Sequence, residues 1–338
     1  MTDTSRRVAL LVGTYARNGG TGVRLLMSDD GALQAGRTMC DVPDASHGLW
    51  SPDRTSLYFI SELAAGRIHA LQVRDGSFAE LWTAPTNGSA PCHLALQRGG
   101  SELVAANYES GSVAFLTLDK SGGPAPSHVH QLAGSGQNAD RQAGPHAHWV
   151  GCAPNTDRLY CVDLGSDKIW RFEPNAATPA AAYAAASGSG PRHLAFHPRE
   201  PLALLVTELA STLTLLAVEG GWNLREITTC STLPPGAGQS LAGHIVLNRA
   251  ADRIYVTNRG HDSIAVFSLR EGALQLLQHV PTGGASPRFM LLLETVQRLL
   301  VANEEGGTVR QFRVMDDGTL NTDATTDLPG AAFLIEAS

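Results

Sequence analysis

The stretch GPHAHWV (144–150) places two histidines, His146 and His148, two residues apart behind a Gly-Pro pair. In an extended chain, side chains at i and i+2 point to the same side. The pair could therefore bind a metal, supply a catalytic base with a neighbour, or simply open a strand. A neutral imidazole suits proton transfer near neutral pH, because its ordinary pKa is about 6.5. The surrounding sequence has to separate these interpretations.

A metal site would need more ligands than these two histidines. Divalent cations usually bind three or more His, Asp or Glu side chains. The sequence offers only Asp163 and Glu208 as obvious further candidates. We therefore expect neither a metal nor another cofactor.

Composition excludes several classes of function. The chain has 338 residues and a formal net charge of −7, which argues against a nucleic-acid surface. We find no secretory signal and no apolar run near the length of about 18 residues that a membrane helix needs. The five cysteines contain no C-x-x-C pair and are interpreted as reduced thiols. We expect a soluble, cytoplasmic protein; its oligomeric state is left open.

The chain repeats a pattern of short strands separated by turns. Anchored on one position of each copy, the copies follow one another at steps of 45 to 55 residues. Repeats of this length, built from strands with alternating apolar residues, are typical of propeller blades. The six copies are 46–71, 90–118, 145–172, 191–218, 242–269 and 286–314, anchored on His47, His93, His148, His193, His244 and Phe289.

The two chain ends supply a seventh blade. Residues 7–37 match the second to fourth strands of a blade, and residues 328–338 look like a missing first strand. Pairing them removes exposed sheet edges. The tract 177–190, although rich in alanine, lies where an outer strand and a loop belong. We predict an all-β fold, a seven-bladed propeller of four-stranded antiparallel blades, forming a single domain over residues 1–338.

This architecture brings two sets of polar residues to one end of the predicted channel. The first two strands of a blade form a hairpin, so the beginning of one strand and the end of the other lie together. The first-strand set is His47, His93, His146, His148, Arg192, His193, His244 and Arg288. The second-strand set is Glu62, Asn107, Asp163, Glu208, Asn258, Arg259, Asn303 and Glu304.

Such a cluster suits a small anion, but repetition has a structural explanation as well. A histidine at the anchor of blade after blade is expected to serve the repeat itself. The departures from the repeat carry more functional weight: the one repeat that opens with His-x-His, and Arg192, Glu208 and Arg259. For Arg192 with Glu208, an ion pair without chemistry is an equal alternative.

Several segments resemble one family. The stretches GPHAHWV, VDLGSDKIWRF, GPRHLAFHP, VTELASTLTLL and VTNRGHDSIAVF are similar to those of the lactonase family of seven-bladed propellers. That family includes cycloisomerase-type bacterial 6-phosphogluconolactonases and fungal carboxymuconate-lactonizing enzymes. The resemblance runs from LLVGTY to VANEEGGTVRQF and so covers almost the whole chain.

The resemblance implies a lactone hydrolase acting on a small anionic lactone, with 6-phosphogluconolactone favoured. The catalytic residues that it implies are His148, Arg192, Glu208 and Arg259. We expect His148 to be the general base, the arginines to bind the anion and the developing oxyanion, and Glu208 to orient His148 or an arginine. The expected substrate-binding residues are His146, Asp163, His193, Arg288 and Asn107.

Two alternatives remain open. A carboxymuconate-type cycloisomerase would use the same residue types, since phosphate and carboxylate both call for arginine. A non-enzymatic propeller that binds protein partners is the other. The sequence also departs from the family at Gly243, where an acidic residue is expected, which leaves the exact lactone undetermined.

Overall fold

The structure is a computed structural model that describes residues 7–74, 76–120, 122–173 and 178–337, with only the backbone at 126 and 127. Its strands up to Ser46 are β1 (Val8–Thr14), β2 (Val23–Asp29) and β3 (Ala32–Cys40). Those between His47 and Ser231 are β4 (Gly48–Trp50), β5 (Ser56–Ser61), β6 (Arg67–Arg74), β7 (Ser77–Pro85), β8 (Pro91–Gln97), β9 (Glu102–Asn107), β10 (Ser112–Leu118), β11 (Pro124–Gln131), β12 (Ala147–Cys152), β13 (Leu159–Asp163), β14 (Lys168–Phe172), β15 (Ala180–Ala184), β16 (Pro191–Phe196), β17 (Leu202–Thr207), β18 (Thr212–Val218) and β19 (Leu224–Ser231). Those from Thr232 onward are β20 (Leu241–Leu247), β21 (Arg253–Arg259), β22 (Ser263–Arg270), β23 (Ala273–Pro281), β24 (Pro287–Leu293), β25 (Arg298–Asn303), β26 (Thr308–Val314), β27 (Leu320–Asp327) and β28 (Ala331–Glu336). Short 3₁₀ turns occupy Ala16–Asn18, Arg98–Gly100, Gly220–Trp222 and Glu294–Val296.

These strands form seven four-stranded antiparallel sheets, as predicted. We call them blades 1 to 6 in chain order, from β4–β7 to β24–β27, and blade 7, ordered β28-β1-β2-β3. The described chain divides into two compact units. The four-blade unit is His47–Ser231 and holds blades 1 to 4; the three-blade unit holds blades 5 to 7. A single domain over 1–338 stays a prediction.

The core of each unit lies between neighbouring sheets. Middle strands are apolar on both faces because both are covered: in β17, Ala203, Leu204, Leu205 and Val206 are all wholly buried. The outermost strand β7 is mostly exposed or half-buried instead, with Ala84 as its one buried residue. Each fully buried Val or Leu stabilises the fold by roughly 1.5–3 kcal/mol. These runs therefore hold each sheet against the next.

Blade 7 is built from both chain ends, as predicted. Strand β28 pairs with β1 in antiparallel register, with Leu10 opposite Glu336 and Gly13 opposite Phe333. The alanine-rich tract is also a strand where it is described, since β15 covers Ala180–Ala184; Thr178 and Pro179 precede it, and Ala177 lies outside the described residues.

Candidate active site

The first strands of blades 2 to 6 each carry a β-bulge near their beginning, where one or two residues fall outside the pairing with the second strand. A bulge re-aims the side chain of its extra residue and is common beside binding sites. The residues at this bulge position are Cys92, His148, Arg192, Gly243 and Arg288. Three predicted site residues therefore share one structural position.

The bulge corrects the alignment of the repeats. The sequence aligns His148 with the anchor His93, but this is wrong by one residue. Trp149 and His93 pair with equivalent residues of their second strands, so Trp149 holds the anchor position in blade 3. His148 aligns with Arg192 instead. It is a departure from the repeat, which strengthens its candidacy for function.

The anchor histidines connect neighbouring first strands. Nδ1 of His47 accepts the backbone N–H of Leu94 at 3.2 Å, and Nδ1 of His244 accepts that of Met290 at 3.2 Å. His93 accepts the corresponding N–H of the next blade at 3.5 Å. Burial lowers the pKa of His47 to about 3, so it stays neutral, as an acceptor must. These contacts support the structural role expected for the repeated histidines.

His193 holds the same anchor position but bonds differently. NH1 of Arg192 lies 3.1 Å from its Nε2. A guanidinium can only donate, so Nε2 accepts and the neutral ring carries its proton on Nδ1. The ring also meets that of His148 edge-on, with centroids 5.3 Å apart. His193 thus joins the arginine to the histidine.

A carboxylate shared by two arginines forms the charged part of the cluster. Glu208 follows β17 directly and is 2% exposed. Its Oε2 accepts from Nε of Arg192 at 3.0 Å, and its Oε1 from NH2 of Arg141 at 2.6 Å. Arg192 is 1% exposed, whereas the side chain of Arg141 is 35% exposed. Burial alone would lower the pKa of Arg141, but the charge of Glu208 and the hydrogen bonds to Tyr108 and Glu208 together outweigh it and raise that pKa. Both guanidiniums are therefore charged, and Glu208 orients them.

Arg141 lies on a loop that is fixed by the residue after it. The amide of Gln142, wholly buried, donates to the carbonyl of Leu164 and to Oδ1 of Asp167, both at 2.8 Å. The backbone N–H of Arg141 donates to Oδ1 of Asn138 at 3.1 Å. An irregular segment thereby holds a cation in a defined position.

Tyr108 connects the histidine pair to Arg141. Its ring stacks on His146, with centroids 4.5 Å apart, and meets His148 edge-on at 5.5 Å. Its hydroxyl accepts from NH2 of Arg141 at 3.2 Å, and burial raises the pKa of the phenol. Nδ1 of His146 lies 3.0 Å from the carbonyl oxygen of Tyr108, which can only accept. Nε2 of His146 is therefore its basic nitrogen.

His148 itself is 6% exposed. Its Nδ1 lies 3.9 Å from Sγ of Cys92, whose single S–H has the carbonyl oxygens of Ala147 and His148 as acceptors within 3.5 and 3.4 Å. Cys92 thus backs the imidazole on its Nδ1 side.

Two predicted substrate-binding residues are engaged within their own blades. Both carboxylate oxygens of Asp163 accept from the protein: one from the backbone of His146, 2.7 Å away, and the other from the indole of Trp170 at 3.0 Å. The amide of Asn107, wholly buried, donates to Oγ of Ser112 at 3.1 Å. The roles assigned to Asp163 and Asn107 stay predictions.

The other predicted arginines lie in the three-blade unit. NH2 of Arg259 donates to the carbonyl of Ala242 at 3.3 Å, and NH1 of Arg288 lies 3.5 Å from Oε2 of Glu304. That Arg259 serves the same site as His148 stays a prediction.

The glycine at 243 has a steric reason. A Cβ there would collide with Oγ1 of Thr257, the atom that accepts the backbone N–H of His244 at 2.8 Å. An acidic side chain at this position would displace the Thr257 hydroxyl and so break its hydrogen bond with His244.

A second catalytic-looking arrangement lies in blade 1. Oγ of Ser61 is 2.8 Å from Nε2 of His69, whose Nδ1 is 3.6 Å from Glu80. A nucleophilic serine must reach its substrate. Ser61 is wholly buried, and the same strand-end position holds Asn107 and Asp163 in the next two blades. We interpret this serine–histidine bond as structural.

The described residues also contain a cavity apart from the cluster around Tyr108. A cavity of about 490 Å³ in the four-blade unit is lined by Phe115, His128, His130 and Phe172, away from the residues around Tyr108. Among the described residues there is no group of three or more His, Cys, Asp or Glu placed to hold a metal ion. Within those same residues, no helix has the length and apolar character needed to cross a membrane.

The sequence analysis missed Tyr108 and Arg141. Tyr108 directly follows a second strand, the position that singled out Glu208, so the hairpin argument could have found it. Arg141 lies on an irregular loop whose course the repeat does not determine.

Seven four-stranded antiparallel blades, one of them built from both chain ends, define a seven-bladed propeller. The chain belongs to the family described as Lactonase, 7-bladed beta-propeller, whose model matches residues 9–334. A 6-phosphogluconolactonase of Bacillus subtilis (strain 168) is 30% identical over 313 residues, which is 89% of each chain.

Two further proteins are similar to this chain, one compared by sequence and one by structure. A 6-phosphogluconolactonase of Formosa agariphila is 27% identical over 90% of this chain and 92% of its own. The structure of the Pseudomonas aeruginosa periplasmic gluconolactonase PpgL superimposes with a TM-score of 0.89, at 27% identity and over 97% and 98% of the two chains.

Proposed function

We propose that this chain hydrolyses 6-phosphogluconolactone to 6-phosphogluconate, a step of the pentose phosphate pathway. The supporting observation is that Tyr108 contacts both histidines of the H-A-H motif and an arginine that shares Glu208 with Arg192. Base and cations are thus assembled in one unit. Relatives named for this activity add to that support.

Lactone opening needs an activated water and a stabilised oxyanion. We assign the base to His148, because it departs from the repeat at the bulge position and contacts both Tyr108 and His193. A positioned general base typically raises the rate of such a reaction by about 10²–10⁴-fold. Water attacks the carbonyl carbon as His148 takes its proton; the ring C–O bond then breaks as the imidazolium of His148 returns that proton to the alkoxide leaving group, and the carboxylic acid formed loses its own proton to solvent.

The arginines divide the remaining work. Arg192 is buried and donates to Glu208 and His193, so it fixes the geometry of the cluster. Arg141, at 35% side-chain exposure, is the better placed of the two to meet substrate and oxyanion. Of the two partners expected for Glu208, the geometry favours an arginine.

His148 and His146 form a matched pair for the test. We would follow freshly made 6-phosphogluconolactone by coupling to 6-phosphogluconate dehydrogenase and subtract spontaneous opening. We expect His148→Ala to lose at least about 100-fold in kcat/KM and His146→Ala to lose less. A greater loss for His146→Ala would transfer the base to His146, whose Nε2 is the nitrogen left basic.

Two further measurements test whether the reaction needs a metal and whether this lactone is the substrate. Turnover that survives a chelator supports the metal-free mechanism, and turnover abolished by it contradicts that mechanism. Wild-type protein with no activity above background would overturn the proposed reaction, and carboxymuconolactone would then be tested.

We propose further that the protein is cytoplasmic. All five cysteines are described and none forms a disulfide, which fits a reducing cytoplasm. Cell fractionation would test it, since the similar Pseudomonas protein is described as periplasmic.

A further inference from the structure

The arrangement around Glu208 occurs a second time, in the three-blade unit. Arg288 and Glu304 occupy in blade 6 the positions that Arg192 and Glu208 occupy in blade 4, with the same separation of 16 residues. Glu304 also accepts from NH2 of Arg17, at 2.8 Å, as Glu208 does from a loop arginine. An arginine pair on one carboxylate is therefore duplicated within the chain.

The duplicate has its own tyrosine. Tyr15 directly follows β1, as Tyr108 follows β9, and is wholly buried. The guanidinium of Arg17 lies 4.0 Å from its ring centroid, and that of Arg288 lies 5.0 Å from it. One aromatic ring thus holds two like charges, which repel each other.

A third arginine, Arg259, lies near this pair: a Cβ on Gly243 would be 3.6 Å from its Nε and 3.1 Å from the carbonyl oxygen of Pro287, the residue before Arg288. Burial alone would raise the pKa of Glu304, but the charges of Arg288, Arg17 and Arg259 outweigh it and lower that pKa. Glu304 is therefore ionised, in contact with Arg17 and Arg288 and stabilised by the charge of all three arginines. Holding that many cations together is costly in a folded protein, and such costs concentrate at functional sites.

Two side chains of the cluster are largely buried and the third is exposed to solvent. The side chains of Glu304 and Arg288 are 7% and 13% exposed, and that of Arg17 is 57% exposed. Asp44 accepts the backbone N–H of Ala16 at 2.7 Å, which fixes the turn that carries Arg17. The guanidinium of Arg17 is thus presented to solvent from a defined position.

We propose that this three-arginine cluster of Arg17, Arg259 and Arg288 around Glu304 is a binding site for a phosphate monoester dianion. Guanidinium forks match the oxygens of phosphate, and three cations with one carboxylate leave a charge suited to a dianion. A phosphate monoester carries a charge of about −1.5 to −2 at pH 7. This phosphate has two possible sources: the substrate itself or a separate phosphorylated molecule. Only the first source depends on the proposed function.

Binding is tested without turnover. We would titrate the protein with inorganic phosphate, 6-phosphogluconate and gluconate by calorimetry, using wild type, Arg17→Ala and Arg288→Lys. Arg313→Ala, an exposed arginine of the same unit, is the matched control. We expect Arg17→Ala to weaken both phosphate-bearing ligands at least about tenfold, and the control to leave them unchanged. Equal affinities in wild type and both cluster variants, or no phosphate binding by wild type, would overturn the site.

Kinetics then separate the two sources. If the cluster holds the substrate's phosphate, Arg17→Ala raises the KM for 6-phosphogluconolactone relative to that for glucono-lactone. If phosphate affinity falls while the ratio of the two KM values stays fixed, the site serves a separate phosphorylated molecule. Phosphate binding without any lactone turnover would retain this site and reject the proposed function.

Discussion

Glu208 pairs with one buried and one partly exposed arginine, and this asymmetry separates stability from activity. Removing Arg192 leaves a carboxylate that is 2% exposed with one cation fewer, which we expect to cost about 3 kcal/mol in the free energy of unfolding. Removing Arg141, at 35% side-chain exposure, is expected to cost less than about 1 kcal/mol.

Catalytic activity is expected to depend on Arg141, the arginine that contributes less to stability. We expect Arg141→Ala to lower kcat/KM at least about tenfold while the fold stays intact. Urea unfolding and lactonase kinetics on Arg141→Ala and Arg192→Ala check both parts, with Arg141→Lys as the control for charge alone. Equal destabilisation by the two alanine variants would contradict this division of roles.

At the scale of the strands, the anchor histidine of blade 1 makes stability depend on pH. The pKa of His47 is about 3 in the folded protein because of burial, and about 6.5 when unfolded. Below pH of about 6.5 the unfolded chain binds a proton that the folded chain does not. The contribution of a neutral His47 is therefore complete above that pH and is lost as the pH falls toward 3.

The matched variant is His47→Gln, which keeps an acceptor for Leu94 but does not titrate. We expect wild type to lose on the order of 4 kcal/mol more than the variant as the pH falls across this range. Urea midpoints measured at several pH values give the difference. Parallel profiles for the two proteins would show that His47 is not the group responsible.

The strands could be predicted from the sequence because each blade is local: its apolar alternation and turns recur within one repeat. The bulges could not, since an extra residue changes the pairing without changing the residue types around it. That is why the sequence alone aligns His148 with His93, although Trp149 holds that position in the structure. Arg141 could not be predicted for a different reason. Its loop is fixed by Gln142, through contacts that the repeat does not encode.

At the scale of the molecule, the predicted single domain has a direct test. A blade cannot bury both faces alone, so its stability comes from its neighbours, and unfolding should be cooperative. Phe333→Ala in β28 and Leu205→Ala in β17 remove buried side chains from the three-blade and the four-blade unit. Each is expected to cost about 2–5 kcal/mol.

In a single domain, both substitutions must shift the same calorimetric transition, because one equilibrium governs all seven blades. The calorimetric and van't Hoff enthalpies should then agree. Independent units would give two transitions, with Phe333→Ala moving one and Leu205→Ala the other. Wild-type protein scanned beside both variants therefore assigns each transition to its unit, and a separate response of the two would replace the single domain with two.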